Sequence, residues 1–131
     1  MGNILLVDDD IEFAEVLSEQ IRAAGHAVQS ISDSENAVAA CLSEKNALSP
    51  DVIIVDLYMP RQDGIQVIAA LRQAGIKTPI IAISGGGSIR FTKMLEVAKV
   101  LGANFSLAKP FPASELLELI DRYVPPQERI A

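Results

Sequence analysis

The sequence predicts an α/β domain in which five strands alternate with five helices, a doubly wound (βα)5 arrangement around one parallel sheet. Three observations carry this reading. Five short apolar runs of strand length recur along the chain. A helical apolar spacing follows each of them, and Gly or Pro punctuates the helix ends.

The first, third and fourth runs, Asn3 to Val7, Val52 to Val55 and Pro79 to Ile83, are β-branched and nearly uninterrupted. Such runs suit strands covered on both faces by helices. The second and fifth, Ala27 to Ile31 and Phe105 to Ala108, are shorter or more polar, which suits edge strands. Helix 1 is carried by Phe13, Val16, Leu17, Ile21 and Ala24, with Gly25 placed to end it. Helix 2 is a weaker stripe of Ala37, Val38, Cys41 and Leu42 after a cap at Ser32, Asp33 or Ser34. Gly64, Val67, Ile68 and Leu71 form helix 3, with Asp63 near its start and Gly75 at its end. Phe91, Met94, Leu95, Ala98 and Leu101 form helix 4, closed by Gly102. Helix 5 carries Pro112, Ala113, Leu116, Leu117, Ile120 and Val124, with Pro125-Pro126 beyond it. Right-handed crossovers then require helices on both faces of the sheet.

The 131 residues are enough for one domain, placed at 1–124, with a short polar tail at 125–131. Half the residues are hydrophobic and the net charge is −6, with no basic stripe, which argues against a nucleic-acid partner. The lone Cys41 has no internal disulfide partner and reads as a core filler. Asp8, Asp9 and Asp10 arrive too early for a signal peptide, and Leu6 stands where a myristoylation signal wants Ser or Thr. No apolar run is long enough to cross a membrane, so the expected location is the cytoplasm.

Open α/β sheets bind ligands outside the carboxyl ends of their strands. Strand 1 ends there in Asp8-Asp9-Asp10, strand 3 in Asp56, strand 4 in Ser84 followed by Gly85-Gly86-Gly87, and strand 5 in Lys109-Pro110. Carboxylates gathered at one point raise each other's pKa unless a cation is present. Mg²⁺ accepts a few carboxylate oxygens together with water and phosphate oxygens, which Asp8, Asp9 and Asp56 can supply. A carboxylate can also act as a nucleophile and form an aspartyl phosphate. The phosphoryl oxygens would then be met by Mg²⁺, the Lys109 ammonium and the Ser84 hydroxyl. Taken singly, each feature has a blander explanation. An acidic triplet often only serves a helix N-terminus, Gly-Gly-Gly is usually a flexible loop, and Ser84 or Ser88 can simply cap a helix. The signal is their conjunction at four strand ends.

Taken together, the stretches Ile4 to Asp10, Val55 to Pro60 with Asp63-Gly64, Ile83-Ser84-Gly85, Gly102-Ala103 and Lys109-Pro110-Phe111 resemble the receiver domain of two-component response regulators. The resemblance runs from about Asn3 to Tyr123. It implies a flavodoxin-like fold with strand order 2-1-3-4-5 and a cis peptide at Lys109-Pro110. It implies that Asp56 is phosphorylated, and that Asp9, Asp56 and the main-chain carbonyl of Tyr58 ligate Mg²⁺, with Asp8 acting through water. Ser84 becomes the switch hydroxyl, and Lys109 pairs with the phosphoryl group. The implied partners are a histidine kinase or histidine phosphotransfer protein docking near helix 1, and a downstream protein or second copy on the face made by helix 4, strand 5 and helix 5. There Ile89 and Val100 are expected to point outward, with Val97 on the flank and Leu119 marginal.

Two departures stand out. Ser106 occupies the position three before the lysine where the family usually has Tyr or Phe, and Phe105 is one residue too early to share its face. Gly85-Gly86-Gly87 gives the loop into helix 4 unusual freedom, which suggests a switch that orders this loop. Among other functions, a haloacid-dehalogenase-type phosphatase wants a second Asp at Tyr58 and more chain for a cap. A flavin or nucleotide carrier would place phosphate against Asp8 to Asp10. A degenerate receiver used only for contacts would not need Asp56, Lys109 and Ser84 together.

Overall fold

The computed structural model describes residues 2–42, 50–57, 64–85 and 89–124, without the side chains of residues 34 and 89–92. The elements are β1 (Asn3–Val7), α1 (Ile11–Ala23), β2 (Ala27–Ile31), α2 (Ser34–Leu42), β3 (Val52–Asp56), α3 (Gly64–Gln73), β4 (Ile80–Gly85), α4 (Ile89–Leu101), β5 (Phe105–Lys109) and α5 (Ala113–Tyr123). The sheet is parallel throughout, in the order β2-β1-β3-β4-β5. The predicted fold and strand order hold, and β2 and β5 are the edges.

The side-chain period of two along each strand divides the core into two layers. Ile4, Leu6, Val52, Ile54, Ile81, Ile83 and Leu107 face α1 and α5, where they meet Leu17, Ile21, Leu116 and Ile120. Leu5, Val7, Ile53, Val55, Ile80 and Ala82 face the other way, onto Ala37, Val67, Ile68, Leu71 and Ala98 of α2, α3 and α4. This two-sided burial explains why the central runs contain no polar alternation.

The helix ends follow the sequence signals. Asp10 caps α1, its carboxylate accepting the Phe13 N–H at 3.1 Å. Of the three candidates for the α2 cap, Asp33 accepts the Asn36 N–H at 2.8 Å. Gly102 follows α4 with φ of 123°, a backbone conformation suited to glycine, and its carbonyl accepts from Arg72 Nη2 at 2.7 Å. Arg72 also donates to the carbonyls of Ile76 and Thr78 and to Asn104, which ties the α3–β4 and α4–β5 turns together at the amino edge of the sheet.

On α4, Val100 is 86 % exposed and Val97 is also exposed, as expected. Leu119 is a correction: it is only 4 % exposed and belongs to the α1/α5 core layer. It follows Leu116 by three positions, which sets it on the same helical stripe. The expectations for Tyr58, Asp63, Gly86, Gly87, Ser88, the tail from Pro125 and the Ile89 and Phe91 side chains lie outside what is described.

Candidate functional site

The core parity continues past the strand ends and decides what meets there. Asp8 stands two residues beyond Leu6, Asp56 two beyond Ile54, and Lys109 two beyond Leu107. All three therefore emerge on the α1/α5 side of the sheet. Register brings them level: Val7 pairs with Val55, Asp56 with Ile83, and Gly85 with Lys109. The strand ends are fixed by further main-chain bonds from Asp8 N–H to Ile31 O and from Leu57 N–H to Ile83 O.

Lys109 Nζ lies 3.3 Å from Asp56 Oδ2. Asp56 is 5 % exposed and Asp8 3 %. Asp8 Oδ1 accepts the Asp10 N–H at 2.9 Å, whereas Asp8 Oδ2 has no hydrogen-bond partner among the described residues. Burial pushes the Asp8 carboxyl up to about 7. The Asp10 N–H opposes that rise, the nearby Asp56 charge adds to it, and Lys109 offsets part of it. Ser84 is fully buried on the opposite parity, and its Oγ also has no partner among the described residues. The Lys109-Pro110 peptide is cis.

The acidic triplet thus divides into three environments. Asp8 is buried beside Asp56, Asp9 is half-buried, and Asp10 is an exposed helix cap. The reading of an acidic helix N-terminus holds for Asp10, which caps α1. Among the described residues, no three Asp, Glu, His or Cys side chains come close enough to hold a metal by themselves. The donor chemistry nevertheless fits a hard divalent ion. Two buried carboxylates share one edge, one of them with an unpartnered oxygen, and Mg²⁺ characteristically completes its shell with water.

Two neighbours have roles that the sequence did not disclose. Gly64 donates its N–H to Leu57 O at 3.1 Å, and a Cβ built there would collide with the carbonyl of Asp56 and lie 2.5 Å from Leu57 Cα. The Asp63-Gly64 pair was the available signal. Phe13, read from its spacing as core, has its ring centroid 3.7 Å from Lys109 Nζ. An open groove of about 630 Å³ passes Asp8 along α1 and β2, with the 71 % exposed Ile11 on its wall.

A family model for the response regulator receiver domain matches residues 4–121. The chain is 34 % identical over 113 residues to the alkaline phosphatase synthesis transcriptional regulatory protein PhoP of Bacillus subtilis, covering 86 % of this chain and 44 % of that protein. It is 37 % identical over 120 residues to the transcriptional regulatory protein CpxR of Escherichia coli, covering 92 % and 48 %. The chain spans about half the length of the curated relatives it matches. Among solved structures, the receiver domain of Francisella response regulator 1452 is similar at TM-score 0.78 and 28 % identity, covering 94 % of this chain and 96 % of that one. The receiver domain of NtrX from Brucella abortus is similar at TM-score 0.78 and 26 % identity, covering 92 % and 96 %.

Proposed function

Because the chain belongs to the response regulator receiver family, we propose that it is the phospho-accepting module of a two-component or phosphorelay system, with Asp56 as acceptor. The observation that carries this reading is the Lys109–Asp56 pair at 3.3 Å, set beside the buried, half-satisfied Asp8 at the carboxyl edge of the sheet. The family implies a histidine kinase as partner, and the phosphodonor is the phosphohistidine of such a kinase or of a histidine phosphotransfer domain. The exposed Ile11 and the groove beside Asp8 offer that donor an approach along α1. The setting is the cytoplasm.

An Asp56 carboxylate oxygen attacks phosphorus. The new O–P bond forms as the P–N bond of the phosphohistidine breaks, and its electron pair leaves with the imidazole. Water later cleaves the aspartyl phosphate, releasing phosphate and restoring the carboxylate. Lys109 is placed to turn from the carboxylate to a phosphoryl oxygen, and the Ser84 hydroxyl has a donor available for another. Asp9, Asp56 and the Tyr58 main-chain carbonyl would hold a Mg²⁺ ion, with Asp8 contacting it through water. That ion, when bound, neutralises developing phosphoryl charge. The protein turns over no independent metabolite and acts only on its own side chain. Output proceeds through a conformational change of the α4-β5-α5 face, whose exposed Val97, Val100 and Leu101 suit a downstream protein or a second copy.

Intact mass after incubation with Mg²⁺ and phosphoramidate tests this reading. The wild-type chain is expected to gain one phosphoryl group, the gain to be suppressed by a chelator, and Asp56→Asn to gain none. Equal labelling of Asp56→Asn, or no labelling of the wild type, would contradict it.

A further inference from the structure

We infer that Phe13 is a positioning residue for phosphoryl transfer, its ring face holding the Lys109 ammonium against Asp56. The inference rests on the reading of Asp56 as phosphoacceptor and adds a residue to that site.

Lysine carries its charge on four flexible carbons, so a lysine at a strand end does not hold its ammonium in one place by itself. Here two groups fix it. Asp56 Oδ2 lies 3.3 Å away, and the Phe13 ring centroid lies 3.7 Å away. The negative face of an aromatic ring attracts a cation, more strongly where water is displaced. The other ammonium–ring contact among the described residues, Lys99 with Phe105, is far looser at 5.7 Å. When Asp56 takes up a phosphoryl group, the carboxylate that held the ammonium becomes an acyl phosphate and loses its own charge to the phosphoryl oxygens. The ring remains, and keeps the cation beside the new charge.

The local sequence builds this contact. Asp10 accepts the Phe13 N–H, which starts α1 in a fixed rotation. That rotation sends the Phe13 ring to the α1/α5 side of the sheet, where parity also delivers Lys109 and Asp56. Phe13 packs against that core layer as well. A packing role is met by any large apolar side chain, however, whereas holding an ammonium requires a π face. This difference makes the two roles separable.

The experiment measures the initial rate of Asp56 labelling by phosphoramidate with saturating Mg²⁺, using the full chain and variants Phe13→Leu, Phe13→Tyr, Lys109→Met and the Phe13→Leu/Lys109→Met pair. Phe13→Leu is expected to label roughly 3- to 10-fold more slowly, and Phe13→Tyr within about 2-fold of wild type. In the Lys109→Met background, Phe13→Leu is expected to have no further effect. A proton NMR spectrum of the wild type should show the Lys109 ε-methylene shifted upfield by the ring current, a reading independent of whether the Leu variant folds. Wild-type rates in Phe13→Leu, an equal loss in the Lys109→Met background, or an unshifted ε-methylene overturns the role of Phe13 while leaving Asp56 as acceptor. A wild-type chain that takes no phosphoryl group overturns both.

Discussion

Asp8→Asn is expected to make the metal-free protein more stable at neutral pH and, at the same time, a weaker binder of Mg²⁺. The reason is the cost of ionising a buried carboxyl beside Asp56. Its folded pKa of about 7 lies above the ordinary 3.8. A raised folded pKa means that the native state holds the proton more tightly. The stability contributed by Asp8 is therefore fully present below about 3.8 and is lost as pH rises through about 7. That contribution is on the order of 2–4 kcal/mol. Asn retains an oxygen for the Asp10 N–H and removes the charge. Thermal melting between pH 4 and pH 8 without metal should therefore show, for this site, a falling wild-type curve and a flatter Asp8→Asn curve. Saturating Mg²⁺ should recover stability at pH 8 in the wild type and much less in the variant, with affinity roughly 10- to 100-fold lower. A variant that is less stable than wild type at pH 8 and unchanged in Mg²⁺ affinity would show that Asp8 plays no part in metal binding.

Gly64→Ala is expected to damage stability and phosphorylation together. The added methyl group would meet the main chain of Asp56 and Leu57 rather than a movable side chain. The end of β3 must shift to admit it, at a cost of about 2–4 kcal/mol. A displacement of the acceptor by even a fraction of an ångström should slow labelling by roughly 10- to 100-fold, because transfer depends on alignment. Gly85→Ala is the control. A Cβ at Gly85 meets nothing within 4 Å among the described residues, so its stability should change by less than about 1 kcal/mol. Denaturant unfolding and the labelling rate measure both effects. Equal behaviour of the two variants would remove the close approach of Gly64 as an explanation.

Most of the fold was legible because burial on two faces leaves a plain mark. Val52 to Val55 and Ile80 to Ile83 are fully buried and correspondingly uninterrupted in sequence. The turn glycines were legible from their local conformational role, whereas the α2 cap was narrowed only to Ser32, Asp33 or Ser34, of which Asp33 makes the bond. The meeting of Asp8, Asp56 and Lys109 at the candidate site was legible, since strand ends in one parallel sheet must share an edge. What escaped depends on direction rather than position. Three consecutive aspartates look alike in sequence, yet strand parity buries Asp8 and helix capping turns Asp10 outward. Phe13 carried a correct core signal, and nothing in its spacing revealed that one face of the ring meets a lysine ninety-six positions away. Leu119 sits on a helix whose rotation is set by Leu116 and Ile120 entering the α1/α5 core layer, a tertiary fact. Ser106 was recognised as a departure from the family's aromatic. The structure sets it in β5 paired with Ala82, on the opposite parity to Phe105.

In the proposed function, the covalent acceptor is the Asp56 carboxylate. Borohydride reduction of the phosphoramidate-treated protein, followed by peptide mass sequencing, tests it at the level of the bond. Hydride reduces an acyl phosphate to the alcohol with release of phosphate, and leaves a free carboxylate untouched. Homoserine is expected at position 56, dependent on Mg²⁺ and on the phosphodonor. Homoserine at position 8, 9 or 10, or a phosphate ester retained on Ser84, would contradict it.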